Sequence, residues 1–269
     1  TEVSGFPAPE SARLGNRIVY TGAATPNDNE VWITDGTSAG TARLTDLSLP
    51  DSFSSGGFAD AAPGSCGRGF VEANGRVFFG ATVNRIGRLY RTDGTTAGTE
   101  QVAPFPFFSI RLFNQSSRVC VLNSLSDWVF FVASSDTESG EFLWRINAAG
   151  SNGERVTSAA GRLIVPPISI ARLGTSLLFY SSDGAQQGWW RINTPAAAPD
   201  LFVNESTVTN GSRRILTVVG NLVYFESCDG NGQCSLSRTD GTAAGTIALA
   251  PANLSTFSPP SVGVLGDRV

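Results

Sequence analysis

TDGTSAGT (residues 34–41), TDGTTAGT (92–99) and TDGTAAGT (239–246) are nearly one octapeptide written three times. Around them the chain reads NRIVYTGAATPNDNEVWITDGTSAGTARLTDL, GRVFFGATVNRIGRLYRTDGTTAGTEQVAPF and NLVYFESCDGNGQCSLSRTDGTAAGTIALAPA. Each copy holds a run rich in β-branched and aromatic residues, a polar hairpin, a second run, the octapeptide and a third run. A further run precedes each unit, as in GFVEANG and RRILTVVG, with NG, LG or VG at the turn. Each unit is therefore expected to fold as a four-stranded antiparallel sheet.

Between the second and third octapeptides there is room for two degenerate copies. DWVFFVASSDTESGEFLWRINAAGSNGERVTS replaces TDGT by INAAG, and LGTSLLFYSSDGAQQGWWRINTPAAAPDLFV replaces it by INTPA. Five such sheets with a period of about 50 residues predict a single all-β domain, a β-propeller of four-stranded antiparallel blades. The blades are expected at 11–50, 67–105, 117–160, 168–206 and 212–251. VGVLGDRV at the C-terminus matches ARLGNRIV at 12–19. A sixth, incomplete blade is thus expected over 260–269, closed by an outer strand from 1–9, with five or seven blades as the alternatives.

The octapeptide reads as a turn. Asp35, Asp93 and Asp240 are placed to accept hydrogen bonds from backbone amides two residues on. Gly36, Gly94 and Gly241 supply positive φ, and Gly40, Gly98 and Gly245 are expected to supply it again on the return. Trp32 and Tyr90 precede the turn as packing residues. Cation binding by these carboxylates is the alternative, but the same tight turn repeated in three blades suits a structural role better.

Composition narrows the function. With 269 residues and 41% hydrophobic content the chain can bury a substantial core. All 19 cationic residues are Arg, the net charge is −4 and histidine is absent. The acidic balance disfavours nucleic-acid binding, which needs a basic face. No apolar run reaches the length of a membrane span. Without His or Lys there is no imidazole base, no Ser-His-Asp triad and no Schiff-base chemistry. Paired carboxylates remain, such as Asp136 with Glu138 or Glu141, so a glycoside hydrolase is the weakest of the readings kept. Arg213 and Arg214 are adjacent in a strand and are expected to point to opposite sides.

Cys228 and Cys234 flank a Gly-rich turn in ESCDGNGQCSL, which predicts a Cys228–Cys234 disulfide and leaves Cys66–Cys120 as the second pair. A metal site is the competing reading, although the spacing is not that of a zinc motif. Disulfides imply an oxidising compartment: extracellular, cell-surface or periplasmic.

Three stretches, EVWITDGTSAGT, RLYRTDGTTAGT and SLSRTDGTAAGT, resemble the bacterial ELWxxDGT-repeat proteins; EFLWRIN and GWWRIN keep only the aromatic half of that motif. The resemblance implies a secreted or surface-attached bacterial propeller, and it carries over no catalytic residue.

Function is then expected in the loops. One propeller face should gather the hairpins between second and third strands with the blade-to-blade connectors, and TDGT should lie on the other. The candidate binding face comprises Asp28, Phe53, Phe58, Phe105, Phe107, Phe108, Asp136, Glu138, Asp183 and Asp229. The primary expectation is a non-catalytic binding module in a surface or extracellular protein assembly, without a cofactor. The alternative is a lectin in which Trp189 and Trp190 contact sugar and acidic loops recruit Ca²⁺, although DGNG alone lacks a full calcium loop.

Overall fold

The computed structural model describes residues 11–23, 29–47, 69–83, 86–102, 119–134, 141–151, 153–165, 167, 169–206 and 212–250. These residues form five four-stranded antiparallel sheets, and none is helical. The first sheet holds β1 (Ser11–Leu14), β2 (Arg17–Ala23), β3 (Asn29–Thr34) and β4 (Ala42–Arg43). The second holds β5 (Phe70–Ala73), β6 (Arg76–Val83), β7 (Ile86–Thr92) and β8 (Glu100–Gln101). In the third are β9 (Val119–Leu125), β10 (Trp128–Ser134), β11 (Glu141–Asn147) and β12 (Glu154–Arg155). The fourth runs through β13 (Ile170–Leu173), β14 (Ser176–Ser182), β15 (Gln187–Ile192) and β16 (Asp200–Asn204). The fifth comprises β17 (Ser212–Val219), β18 (Leu222–Cys228), β19 (Cys234–Thr239) and β20 (Ile247–Ala250).

Every sheet is an up-and-down meander whose strands pair in chain order, which is the blade of a β-propeller. The first turn of each meander is tight because the sequence supplies left-handed residues there. At Asn74 and Gly75, φ is 50° and 72°, as a two-residue hairpin of the I′ type requires. The segments expected to build a sixth blade, 1–9 and 260–269, lie outside the described residues.

Two compact units share the chain, the first three sheets in one and the last two in the other. Within each unit consecutive sheets pack face to face. Val19, Val31 and Ile33 on the front of the first sheet meet Val77 and Phe79 on the rear of the second. Phe78 and Leu89 on the front of the second meet Val129, Phe131, Trp144 and Ile146. In the other unit, Leu178 and Trp189 meet Val223 and Phe225. Strand alternation explains both faces: a central strand sandwiched between sheets is apolar at consecutive positions, as in VFF and LLF.

Three tryptophans find a polar outlet for the ring nitrogen, whereas Trp189 Nε1 is buried without a hydrogen-bond partner among the described residues. Trp32, Trp144 and Trp190 occupy the same third-strand position, and their indoles donate across the hairpin to the carbonyls of Gly22, Ala133 and Ser181 at 3.1, 3.2 and 3.0 Å.

Candidate functional site

The three octapeptides fold alike, hydrogen bond for hydrogen bond. Asp35 Oδ1 accepts from the Thr37 amide at 2.9 Å and its hydroxyl at 2.7 Å. Asp93 does the same with Thr95, and Asp240 with Thr242. The preceding threonine hydroxyl accepts from the glycine amide, as Thr34 does from Gly36 at 3.0 Å. These donors, the threonine hydroxyl first and its amide second, hold the carboxyls of Asp35, Asp93 and Asp240 below the ordinary aspartate value. Gly36, Gly94 and Gly241 have φ of 94°, 88° and 86°. Gly40, Gly98 and Gly245 do not share that conformation. They are glycines because a Cβ there would sit 2.1, 2.1 and 2.0 Å from the turn's own aspartate oxygen.

The turn also docks on the sheet before it. Arg17 Nη1 donates to the Gly94 carbonyl at 3.2 Å, and a Cβ on Gly94 would meet Arg17, Ile33 and Leu14 at 2.5, 2.9 and 3.0 Å. Arg191 Nη1 donates to the Gly241 carbonyl at 2.9 Å, with Leu178 and Leu173 beside the glycine. The degenerate INAAG turn receives Arg91 in the same way, through the Ala148 carbonyl at 3.2 Å. Arg91 and Arg191 are aimed by acids directly opposite on the outer strand, Glu100 at 2.7 Å and Asp200 at 2.9 Å.

Of the candidate binding face, Asp28, Phe53, Phe58, Phe105, Phe107, Phe108, Asp136 and Glu138 lie outside the described residues. Asp183 is only 5% exposed. Burial pushes its carboxyl up, but the Gln186 and Ala185 amides that it accepts, with Ser158 and Arg162 nearby, hold it lower than usual. Its loop position in the sequence suggested solvent; the structure spends it inside its own hairpin. Asp229 is exposed, and its Oδ1 accepts from the Asn231 and Gln233 amides. Glu30, in the TPNDNE hairpin, is fully buried and accepts from the Thr45 hydroxyl at 2.5 Å and the Leu47 amide at 2.7 Å.

Trp189 and Trp190 are buried, which removes them as sugar-stacking residues. Trp189 packs on Phe225 with ring centroids 4.5 Å apart. Arg213 and Arg214 do point to opposite sides, to Glu205 at 2.6 Å and Glu226 at 3.3 Å. Cys228 and Cys234 face one another across β18 and β19 and are disulfide-bonded. Glu226 lies close enough to make a three-ligand cluster with them, but thiols joined in a disulfide are not thiolate ligands. Cys66, and with it the Cys66–Cys120 pairing, falls outside the described residues.

The rear of the first sheet and the front of the fifth carry exposed residues that the sequence reading missed. The second residue of each second strand points to the rear: Val77, Val129, Leu177 and Val223 are fully buried, whereas Ile18 is 48% exposed. On the same face Tyr20, Trp32 and Thr34 are half-buried, and Gly36 is exposed with no atom within 4 Å of where its Cβ would be. On the front, Val19, Phe78, Phe130 and Leu178 are fully buried, but their counterpart Tyr224 is not. Leu236 and Arg238 of β19 are likewise half-buried, and Ile247, directly opposite Arg238, and Leu249 are 41% and 43% exposed. Aligning the repeats position by position would have pointed to Ile18 and Tyr224, which are as apolar as their buried counterparts, and to Ile247, which stands where Glu100 and Asp200 stand in other sheets.

No protein-family model matches the sequence, and no curated protein matches it. Among solved structures, the chain is similar to a prolyl endopeptidase (16% identity, TM-score 0.50), covering 92% of this chain and 34% of that one. It is similar to a puromycin-hydrolyzing peptidase of Mycobacterium tuberculosis (11% identity, TM-score 0.50), covering 95% and 38%. A putative TolB from Agrobacterium tumefaciens is 12% identical with a TM-score of 0.47, over 90% of this chain and 79% of that one. The chain thus spans little more than a third of the peptidases it matches. At these identities the likeness is one of fold, and the fold is a β-propeller.

Proposed function

We propose that the chain is a non-catalytic, extracytoplasmic protein-docking module, in keeping with its resemblance to DGT-repeat surface proteins. The observation that carries this reading is where its exposed large apolar side chains lie. Four are described, and three of them, Ile18, Ile247 and Leu249, stand on the rear of the first sheet and the front of the last. Ile247 and Leu249 stand close together on the outer strand of the fifth sheet, and neighbouring exposed aliphatic side chains of this kind mark a contact site. The described carboxylates of the loop hairpins are engaged by their own backbone, which supports binding through sheet faces rather than chemistry in the loops. The Cys228–Cys234 disulfide supports an oxidising compartment, and no helix among the described residues is long and apolar enough to cross a membrane.

The test is chemical crosslinking in an extracytoplasmic extract with the intact chain and with Leu249→Asp, alongside a glycan array run in calcium and in chelator. The reading expects protein crosslinks that the substitution removes and a blank array. Reproducible glycan binding that Leu249→Asp leaves untouched would replace it with the lectin reading.

A further inference from the structure

We infer that Glu226, Cys228 and Cys234 form a redox-gated site for a thiophilic divalent cation of the zinc type. The site is closed while the two cysteines are joined and opens when a dithiol reductant cleaves their disulfide. This inference goes beyond the docking reading and does not rest on it.

Comparison among the repeats marks the three residues as additions. Cys228 stands in the second strand of the fifth sheet where Ala23, Thr82, Ser134 and Ser182 stand in the other four. Opposite it on the third strand is Cys234, in place of Asn29, Gly87, Glu141 and Gln187. Two residues before Cys228, Glu226 replaces Thr21, Gly80, Val132 and Tyr180. Four sheets form without this set, so the blade does not require a carboxylate and two thiols here.

Register brings the set together. Cys228 and Cys234 are directly opposite on β18 and β19, and Glu226 shares their face because it lies two residues along the strand. A Glu226 oxygen and the two sulfurs lie within 4.8 Å of one another. Glu226 and Cys234 are buried, while the hairpin tip from Asp229 to Gln233 is exposed and gives an ion its way in.

In the disulfide neither sulfur is a thiolate, and the thiolate is the ligand. A reductant thiolate attacks one cysteine sulfur to give a mixed disulfide. The second reductant thiol then displaces that cysteine, leaving two protein thiols and an oxidised reductant. A binding cation releases both thiol protons. Two thiolates and a carboxylate suit zinc, with water completing the tetrahedron. Their charge exceeds that of a dication by one, and the Arg214 guanidinium, 3.3 Å from Glu226, offsets the excess.

The test titrates the whole chain with Co²⁺, a coloured stand-in for zinc, before and after reduction and removal of the reductant under argon. The reduced chain is expected to develop a near-ultraviolet thiolate-to-cobalt band that saturates at one equivalent, and the oxidised chain none. Cys228→Ser is expected to lose the band. Glu226→Gln is expected to keep it with affinity at least about tenfold weaker, since losing even a ligand's supporting partner costs that much. The inference is overturned by a reduced native chain without the band, a band in the oxidised chain, or equal affinity in Glu226→Gln. It is also overturned by a band that survives Cys228→Ser, which would belong to Cys66 and Cys120. A second measurement needs no substitution: zinc is expected to slow alkylation of Cys228 and Cys234 in the reduced native chain, mapped by mass spectrometry, and unchanged rates overturn the inference as well.

Discussion

Alanine at Gly36 and at Gly94 makes a matched pair, because one turn exists in two settings. Both glycines sit at nearly the same φ, 94° and 88°, inside the same staple. An L side chain in that region costs about 1–2 kcal/mol of backbone strain at either site. At Gly36 that is the whole cost, since the new Cβ meets nothing. At Gly94 the Cβ would lie 2.5 Å from Arg17 Nη2, 2.9 Å from Ile33 Cδ1 and 3.0 Å from Leu14 Cδ2. Overpacking of that kind costs roughly another 1–3 kcal/mol, and shifting Arg17 breaks its bond to the Gly94 carbonyl for about 1 kcal/mol more. Gly94→Ala is therefore expected to destabilise by about 2–4 kcal/mol beyond Gly36→Ala. Urea unfolding followed by tryptophan fluorescence measures the difference. Equal losses at the two positions would show that the turn holds only itself and that the joint between sheets contributes nothing.

Further expectations follow from the same geometry. The lowered carboxyls of Asp35, Asp93 and Asp240 favour the folded turns at neutral pH and down to their unfolded value near 4. That contribution is lost as pH falls through the lower folded-state values, so carbon-detected NMR should see all three titrate below ordinary aspartate. Glu30→Ala strands the Thr45 hydroxyl and Leu47 amide in the first sheet and is expected to cost about 3 kcal/mol in urea unfolding. Replacing Cys228 and Cys234 by serine removes a short cross-link worth roughly 2 kcal/mol, and hydrogen exchange should quicken in β18 and β19 before the other strands. Trp144, Trp189 and Trp190 are expected to resist acrylamide quenching with or without added sugar; sugar-dependent protection of Trp189 or Trp190 would contradict their burial.

The four strands of each described sheet, their pairing order and the turn's internal bonding are legible in the sequence because they depend on neighbours close in the chain. Alternation in RVFFGA, the NG at 74–75 and the Asp-Gly-Thr spacing each act locally. What depends on packing between repeats is not legible in the same way. Gly40, Gly98 and Gly245 look like conformational glycines but are steric ones, because the atom that excludes a Cβ belongs to a side chain five residues earlier. Asp183 and Glu30 sit in polar hairpins and read as solvated, yet backbone amides draw both carboxylates inward. Trp189 and Trp190 read equally well as a sugar platform or as the two faces of a buried strand, and only the neighbouring sheets decide.

Three sheets carry the octapeptide, and the third sheet does without it. In the third sheet INAAG discards the aspartate staple, yet the joint survives: Arg91 still finds a carbonyl, that of Ala148, and Gly150 gives it room, since a Cβ there would meet Arg91 Nη1 at 2.7 Å. The staple is rebuilt with other atoms, Asn147 Oδ1 accepting from the Ser151 amide at 2.9 Å. Presenting a carbonyl to the preceding sheet is therefore the more basic requirement, and DGT is one economical way to meet it. An Asp-Thr pair closes the turn from within, so the outward carbonyl is held whether or not a neighbour is present. Gly36 illustrates the consequence: its turn is fully formed on a face where Ile18 is exposed and Tyr20 only half-buried. A turn that depended on its partner for shape would have to be ordered on docking, at an entropic cost of roughly 1–2 kcal/mol per residue. The first sheet's turn avoids that cost, and a face ordered in advance binds more tightly than one that must fold to bind.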